Sequence, residues 1–221
     1  MALLVAGAFF MEILDATIIT PAIPLIAASL GVDAVDVNVA ISAYLVTVAV
    51  LIPATGWMAD RFGIRRVFLA AIVVFTAASV GCALSTSLPM LVGMRVLQGI
   101  GGAMMVPVGR LAVLRSSAKT DLVRAIALLT WPALAAPVLA PVLGGGIATV
   151  GSWRWIFIVN IPLGIIGFLL ALKLVRGGPA ETPRTLDWPG LLLLGGGIAA
   201  ALISLESIRV AGTDWLLVGA C

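Results

Sequence analysis

Histidine is absent from this chain of 221 residues, tyrosine occurs once and cysteine twice. Without an imidazole, Ser/His nucleophilic catalysis and His-ligated metal chemistry are excluded, and any proton carried through the protein must ride on carboxylates. Cys82 sits inside an apolar run and Cys221 is the last residue. They offer neither a disulfide framework nor a metal-ligand spacing, and no cofactor is implied. Charge is scarce as well: 10% of the residues are Asp, Glu, Lys or Arg, against about 25% in a soluble domain. Hydrophobic residues make up 62% of the chain, which places it among the all-α integral membrane proteins, with the lipid bilayer as its solvent. The formal net charge of +3 does not signal a nucleic-acid partner, because the basic residues fall almost entirely between the apolar runs. The first run contains Glu12 and Asp15 and is preceded by no basic segment, so it is not a cleaved signal peptide.

Apolar windows of about 20 residues fall near 3–28, 38–58, 66–86, 89–110, 122–148, 154–174 and 188–206. These are seven spans, and Trp215 to Cys221 is long enough only to begin another, so the chain is expected to be part of a longer protein. Between the second and third spans lies Gly56-Trp57-Met58-Ala59-Asp60-Arg61-Phe62-Gly63-Ile64-Arg65-Arg66. This charged knot between two membrane-length runs predicts a tight turn at the membrane surface. Alternate loops carry Arg61, Arg65 and Arg66, then Arg110, Arg115, Lys119 and Arg124, then Lys173, Arg176 and Arg184. The opposite loops carry only Arg154 and Arg209. Lys and Arg are retained on the cytoplasmic side, so this asymmetry places the N-terminus in the cytoplasm. The Pro- and Gly-containing stretch from Arg176 to Trp188 is the one plausible boundary between sub-bundles.

Three charges fall well inside spans, away from their ends. Glu12 and Asp15 are three residues apart and share one helical face. Each would cost about 2.5–3.5 kcal/mol ionised at the centre of the bilayer. They are expected to face a bundle interior or a water-filled cavity, where a carboxylate can exchange protons or meet a substrate. Arg95, Gln98 and Gly102 form one polar and small-residue stripe on the fourth span. Arg95 stays charged and needs a carboxylate or carbonyl partner, with Asp15 or Glu12 nearest by depth, unless it snorkels to the outer surface. The fifth span carries Pro132, Pro137 and Pro141 followed by Gly144, Gly145 and Gly146, which predicts a bent, closely packed helix.

Four of these segments resemble motifs of the major facilitator superfamily, within it the 14-helix drug:proton antiporters. Leu14-Asp15-Ala16-Thr17-Ile18-Ile19 with Pro21 and Pro24 resembles that branch's first-helix signature. Gly56 to Arg66 is similar to the superfamily's loop motif, and Arg95-Val96-Leu97-Gln98-Gly99 to its fourth-helix motif. Ala136 to Gly145 resembles the fifth-helix antiporter motif, keeping Pro137, Pro141, Gly144 and Gly145 but carrying Ala136 and Ala140 where glycine is usual. Trp153 to Phe157 with Asn160, and Asp187 to Gly190, also resemble the branch.

The resemblance implies a six-helix N-terminal bundle over 1–175, a cytoplasmic linker over 176–187, and extra membrane segments over 188–221 ahead of a missing C-terminal bundle. It implies proton-driven export of small amphipathic molecules by alternating access, with no enzymatic step, in a bacterial inner membrane. Asp15, Glu12, Arg95 and Gln98 would serve proton coupling and substrate, with Asp15 leading. Gly56, Asp60, Arg61, Gly63, Arg65 and Arg66 would form a cytoplasmic gate latching onto the second bundle. Two alternatives stay open: the same fold moving a defined metabolite, and a membrane-embedded enzyme or sensor built on the Glu12 and Asp15 acid pair.

Overall fold

In lipid, every backbone N–H and C=O must be satisfied within the protein, and a helix does this within one segment. The computed structural model describes residues 1–116, 121–175 and 187–210, and no strand occurs among them. Helix α1 (Ala2–Ile18) passes through a 3-10 turn at Thr20–Ala22 into α2 (Ile23–Leu30). The turn lies where Pro21 and Pro24 withhold backbone donors. Gly31 then ends α2 in the left-handed region at φ 67°. Helix α3 (Ala34–Leu51) continues through a 3-10 turn at Pro53 into α4 (Thr55–Phe62). Four elements follow: α5 (Ile64–Ala83), α6 (Leu88–Ser116), α7 (Leu122–Val150) and the pair α8 (Trp155–Ile158) with α9 (Asn160–Leu174). Together they make six spans long and apolar enough to cross a membrane.

Two expectations change in detail. The charged knot is mostly helix: Gly56 to Phe62 belong to α4, and the reversal falls on Gly63 alone, at φ 86° and ψ 137°. The seventh span, α10 (Trp188–Val210), is a helix, but its apolar part among the described residues, Trp188–Ala201, is shorter than the six. The fifth span runs unbroken through its three prolines. Lys119, the 176–186 part of the linker and Trp215 to Cys221 lie outside the described residues.

At Gly63 an added Cβ would meet nothing within 4 Å, so the constraint there is the backbone conformation. Gly63→Ala is expected to cost about 1–3 kcal/mol, read as a lower unfolding temperature in detergent. An unchanged temperature would mean that the chain reverses differently.

Packing centres on α6, whose broadest contact is with α5 and whose next broadest is with α3. Glycines set these distances: a Cβ on Gly101 would stand 2.6 Å from the Phe75 backbone N and 2.9 Å from the Ala71 carbonyl O. One on Gly99 would stand 2.8 Å from Thr47 Cβ and 3.0 Å from the Tyr44 carbonyl O. Lacking a hydrophobic drive between helices in lipid, such close approach supplies the attraction. Helix α7 lies along α1 in the same manner. Ala136, Ala140 and Gly144 are buried there, and a Gly144 Cβ would stand 2.6 Å from the Ile18 carbonyl O. The two alanines that depart from the usual glycines are thus small enough for the contact. Pro137 and Pro141 are exposed, and Gly145 borders open space.

The loops sort to two ends. At one, Arg115 Nη2 pairs with Asp60 Oδ1 at 3.3 Å, and Arg65 Nη2 donates to the Leu172 carbonyl at 2.9 Å. At the other, Arg154 Nη2 donates to the Ser85 carbonyl at 3.0 Å. The Arg115–Asp60 pair is partly exposed, and such pairs contribute about 0–1 kcal/mol.

Candidate functional site

The buried apolar residues fall into two clusters stacked along the helices. One contains Leu4 to Met11 of α1, Val67 to Phe75 of α5 and Met104 to Val113 of α6. The other contains Leu14 and Ile18 of α1, Cys82 and Ala83 of α5, and Leu91 of α6. On α5 and α6 polar residues occupy the gap, Ser79 on the one and Arg95 with Gln98 on the other, and on α1 Asp15 follows just after it. Asn160, the first residue of α9, closes the group. All five are buried, with relative exposures of 0–1%. Buried charge and amide groups at such a depth persist only where they satisfy one another.

They do so almost completely. Arg95 Nη1 donates to Asp15 Oδ2, forming the buried ion pair, and to Gln98 Oε1 at 2.8 Å. Gln98 Nε2 donates to Asp15 Oδ1 at 2.9 Å and to Ser79 Oγ at 2.8 Å. Ser79 Oγ donates in turn to the Phe75 carbonyl at 2.9 Å, and Asn160 Nδ2 donates to Asp15 Oδ1 at 2.6 Å. The Asp15 carboxylate therefore accepts three hydrogen bonds from three side chains on two other helices. Below the guanidinium lies the face of Tyr44, 4.2 Å from Arg95 Cζ to the ring centroid, a cation–π contact that strengthens when desolvated. Four polar atoms of the neighbourhood lack partners: Arg95 Nε and Nη2, Tyr44 Oη and Glu12 Oε2.

Asp15, Arg95 and Gln98 are thus brought together as their depths suggest, and Arg95 does not snorkel, since none of it reaches the surface. Glu12 shares the face but not the network; it is half-buried one turn away. The gate residues Asp60, Arg65 and Arg66 and the fifth-helix residues Pro137, Pro141 and Gly145 lie elsewhere on the bundle, and Gly144 is buried against Ile18 of α1, apart from this cluster. Ser79 and Tyr44 were not legible as site residues: one serine in an apolar run resembles any helix serine. Tyr44 had a signal in being the chain's single tyrosine, in the middle of a span. No group of acidic, cysteine or histidine residues able to hold a metal occurs among the described residues.

A family model described as Major Facilitator Superfamily matches residues 5–221. The MdtD proteins of Salmonella newport and Salmonella typhimurium, which carry the name multidrug resistance protein, are each 45% identical over 217 residues. The match takes in 98% of this chain and 46% of each relative, so the chain spans about half the length of the curated relatives it matches. Among solved structures, a crystal structure of a D-xylose-proton symporter aligns with TM-score 0.69 and 17% identity, over 99% of this chain and 54% of that one. A bacterial homolog of the human lysosomal transporter Spinster aligns with TM-score 0.70 and 18% identity, over 83% of this chain and 45% of that one. At such identities these two bear on the fold alone.

Proposed function

Because the chain belongs to the major facilitator superfamily, we propose that it forms the N-terminal bundle of a proton-coupled transporter that exports amphipathic small molecules by alternating access. The observation that carries the reading is the buried Asp15–Arg95–Gln98 network at the seam between two apolar halves. An ion pair enclosed in hydrocarbon is costly to assemble, and charged residues kept inside membrane helices mark ion or substrate pathways. The names of the MdtD relatives support cargo of the multidrug kind. In this reading residues 1–175 are one bundle, 176–187 a cytoplasmic linker and 188–221 additional membrane segments, with a second bundle completing the transporter. The end bearing Asp60, Arg65 and Arg115 faces the cytoplasm of a bacterial inner membrane, as its excess of arginine favours.

The fit extends to the surfaces that the bundle leaves open. Trp131, Leu134, Val138 and Val142 project from α7 with exposures near 70%, an apolar face suited to lipid or to a second bundle. Gly56, Asp60 and Arg61 lie at the cytoplasmic end of this arrangement, where a latch to that bundle would close.

The test is transport in vesicles containing the complete protein. An imposed proton gradient is expected to accelerate movement of a cationic dye, and a protonophore to abolish the acceleration. Asp15→Asn, which keeps the side-chain shape while removing the charge opposite Arg95, is expected to lower gradient-driven transport about tenfold, the rate equivalent of 1.36 kcal/mol, while leaving insertion intact. Transport by Asp15→Asn at the wild-type rate would remove the role proposed for the network.

A further inference from the structure

A cavity of about 140 Å³ opens between α1, α5 and α9, bordered among others by Gly7 and Met11 of α1, Ile72 of α5, and Leu163, Gly167 and Leu170 of α9. Every residue around it is apolar or glycine. Glycine keeps two of its walls back, since a Cβ on Gly7 or on Gly167 would meet nothing within 4 Å. Ile166, also on its border, is 55% exposed, so the space is a groove in the face of the bundle. From Leu163 to Leu170 it follows α9 for about 10 Å, and an apolar cavity of about 150 Å³ takes hydrocarbon and excludes water.

The two ends of the groove differ. Arg65 precedes Ile72 by seven residues on α5, and Lys173 follows Ile166 by seven on α9, so each shares a helical face with a residue lining the groove. Arg65 Nη2 donates to the Leu172 carbonyl at 2.9 Å, which brings its guanidinium to the last turn of α9, where Lys173 is the next residue. Arg65 Nε is buried without a partner, and Lys173 is exposed with no acid paired to it among the described residues. A buried donor left over near an exposed ammonium calls for an anionic oxygen. At the opposite end Met11 lies one turn before Asp15, and Leu163 one turn after Asn160, the residue through which α9 reaches Asp15.

We propose that this groove seats one acyl chain of an anionic phospholipid whose headgroup phosphate is held by Arg65 and Lys173. The apolar walls accept any chain, and the two cations at one end select the headgroup, because a basic side chain near the surface favours anionic over neutral lipid. A second copy of the protein is disfavoured on this face. Copies in one membrane point the same way, so a symmetric pair would bring Arg65 and Lys173 of both together, like charge against like. A seated chain fills the space between α1 and α9 next to the Asn160–Asp15 hydrogen bond and steadies the start of α9 against α1. Nothing in the site depends on the cargo or on the direction of its transport.

The experiment is native mass spectrometry of the purified complete protein in detergent with an equimolar mixture of dioleoylphosphatidylglycerol and dioleoylphosphatidylcholine, with unfolding temperature as the folding control. Wild type is expected to retain the phosphatidylglycerol in preference to the phosphatidylcholine. Lys173→Gln should weaken phosphatidylglycerol binding about fivefold, the equivalent of about 1 kcal/mol for one basic residue, and leave phosphatidylcholine unchanged. Gly167→Leu, whose side chain enters the groove, should reduce phosphatidylglycerol to the phosphatidylcholine level at an unaltered lipid-free unfolding temperature. Equal retention of the two lipids by wild type overturns the proposal, since that is ordinary solvation by lipid. So does a Lys173→Gln protein that keeps the wild-type preference, a result that stands even where Gly167→Leu does not fold. A dimer that Gly167→Leu dissociates, in place of retained lipid, assigns the groove to a second copy and overturns it as well.

Discussion

Arg95→Met is expected to be among the most damaging single substitutions in the chain, lowering stability by about 3–5 kcal/mol. The reason is the carboxylate it leaves behind. Asp15 is 0% exposed, so without Arg95 it faces the apolar seam with only the Gln98 and Asn160 amides as donors. An uncompensated buried charge costs more than the intact pair contributes, because the solvation lost on burial is no longer offset. The same argument requires that Asp15→Asn combined with Arg95→Met be less harmful than Arg95→Met alone, since the double variant contains no orphaned charge. A double-mutant cycle on unfolding temperature, read through tryptophan fluorescence in detergent, measures this coupling. Additive effects would mean that the two side chains do not act as a pair.

The second large effect is expected at Gly101, where α6 meets the backbone of α5. A Cβ would sit 2.6 Å from the Phe75 N and 2.9 Å from the Phe75 Cα. Backbone atoms cannot swing aside as a flexible side chain can, so the helices must separate. Gly101→Ala is expected to destabilise by about 1–3 kcal/mol, and Gly101→Leu by more, with loss of folded protein on extraction. Helix propensity predicts the opposite sign, favouring alanine over glycine by about 1 kcal/mol, so the direction alone decides which effect governs. Gly93 on the same helix is the control: it is exposed, and a Cβ there meets nothing within 4 Å. Gly93→Leu should stay within about 0.5 kcal/mol of wild type. Equal outcomes at the two positions would mean that α5 and α6 do not approach each other as described.

The helices could be read before any fold was known because lipid leaves the backbone so few options. Long apolar runs broken at Gly31, Gly63 and the charged loops correspond to the observed spans within a few residues. The differences lie where two rules compete. The stretch from Gly56 to Arg66 is rich in charge, which suggests a tight turn, yet a helix carried through Phe62 satisfies its backbone and leaves only Gly63 to turn. The α7 prolines lie inside one continuous helix, and the small residues Ala136, Ala140 and Gly144 serve the close contact with α1 that the sequence led one to expect. Asn160 entered the sequence reading only through its neighbours, because a single asparagine near a helix start is equally at home as a terminus residue.

The sequence by itself determined that this is a helical membrane protein, that two acids and an arginine lie within its spans, and that each of the three needs company there. Periodicity is a property of one helix, so it could place Glu12 and Asp15 on one face without distinguishing them. Only the tertiary structure decided between them, because pairing depends on the depth and rotation at which α6 meets α1, set by glycines at helix contacts distributed along the chain. That geometry gives Arg95, Gln98 and Asn160 to Asp15 and leaves Glu12 Oε2 and Tyr44 Oη, both near Gly102, without a hydrogen-bond partner. A separation of three residues along one helix thus becomes a division between a hydrogen-bonded carboxylate and one with an unpartnered oxygen.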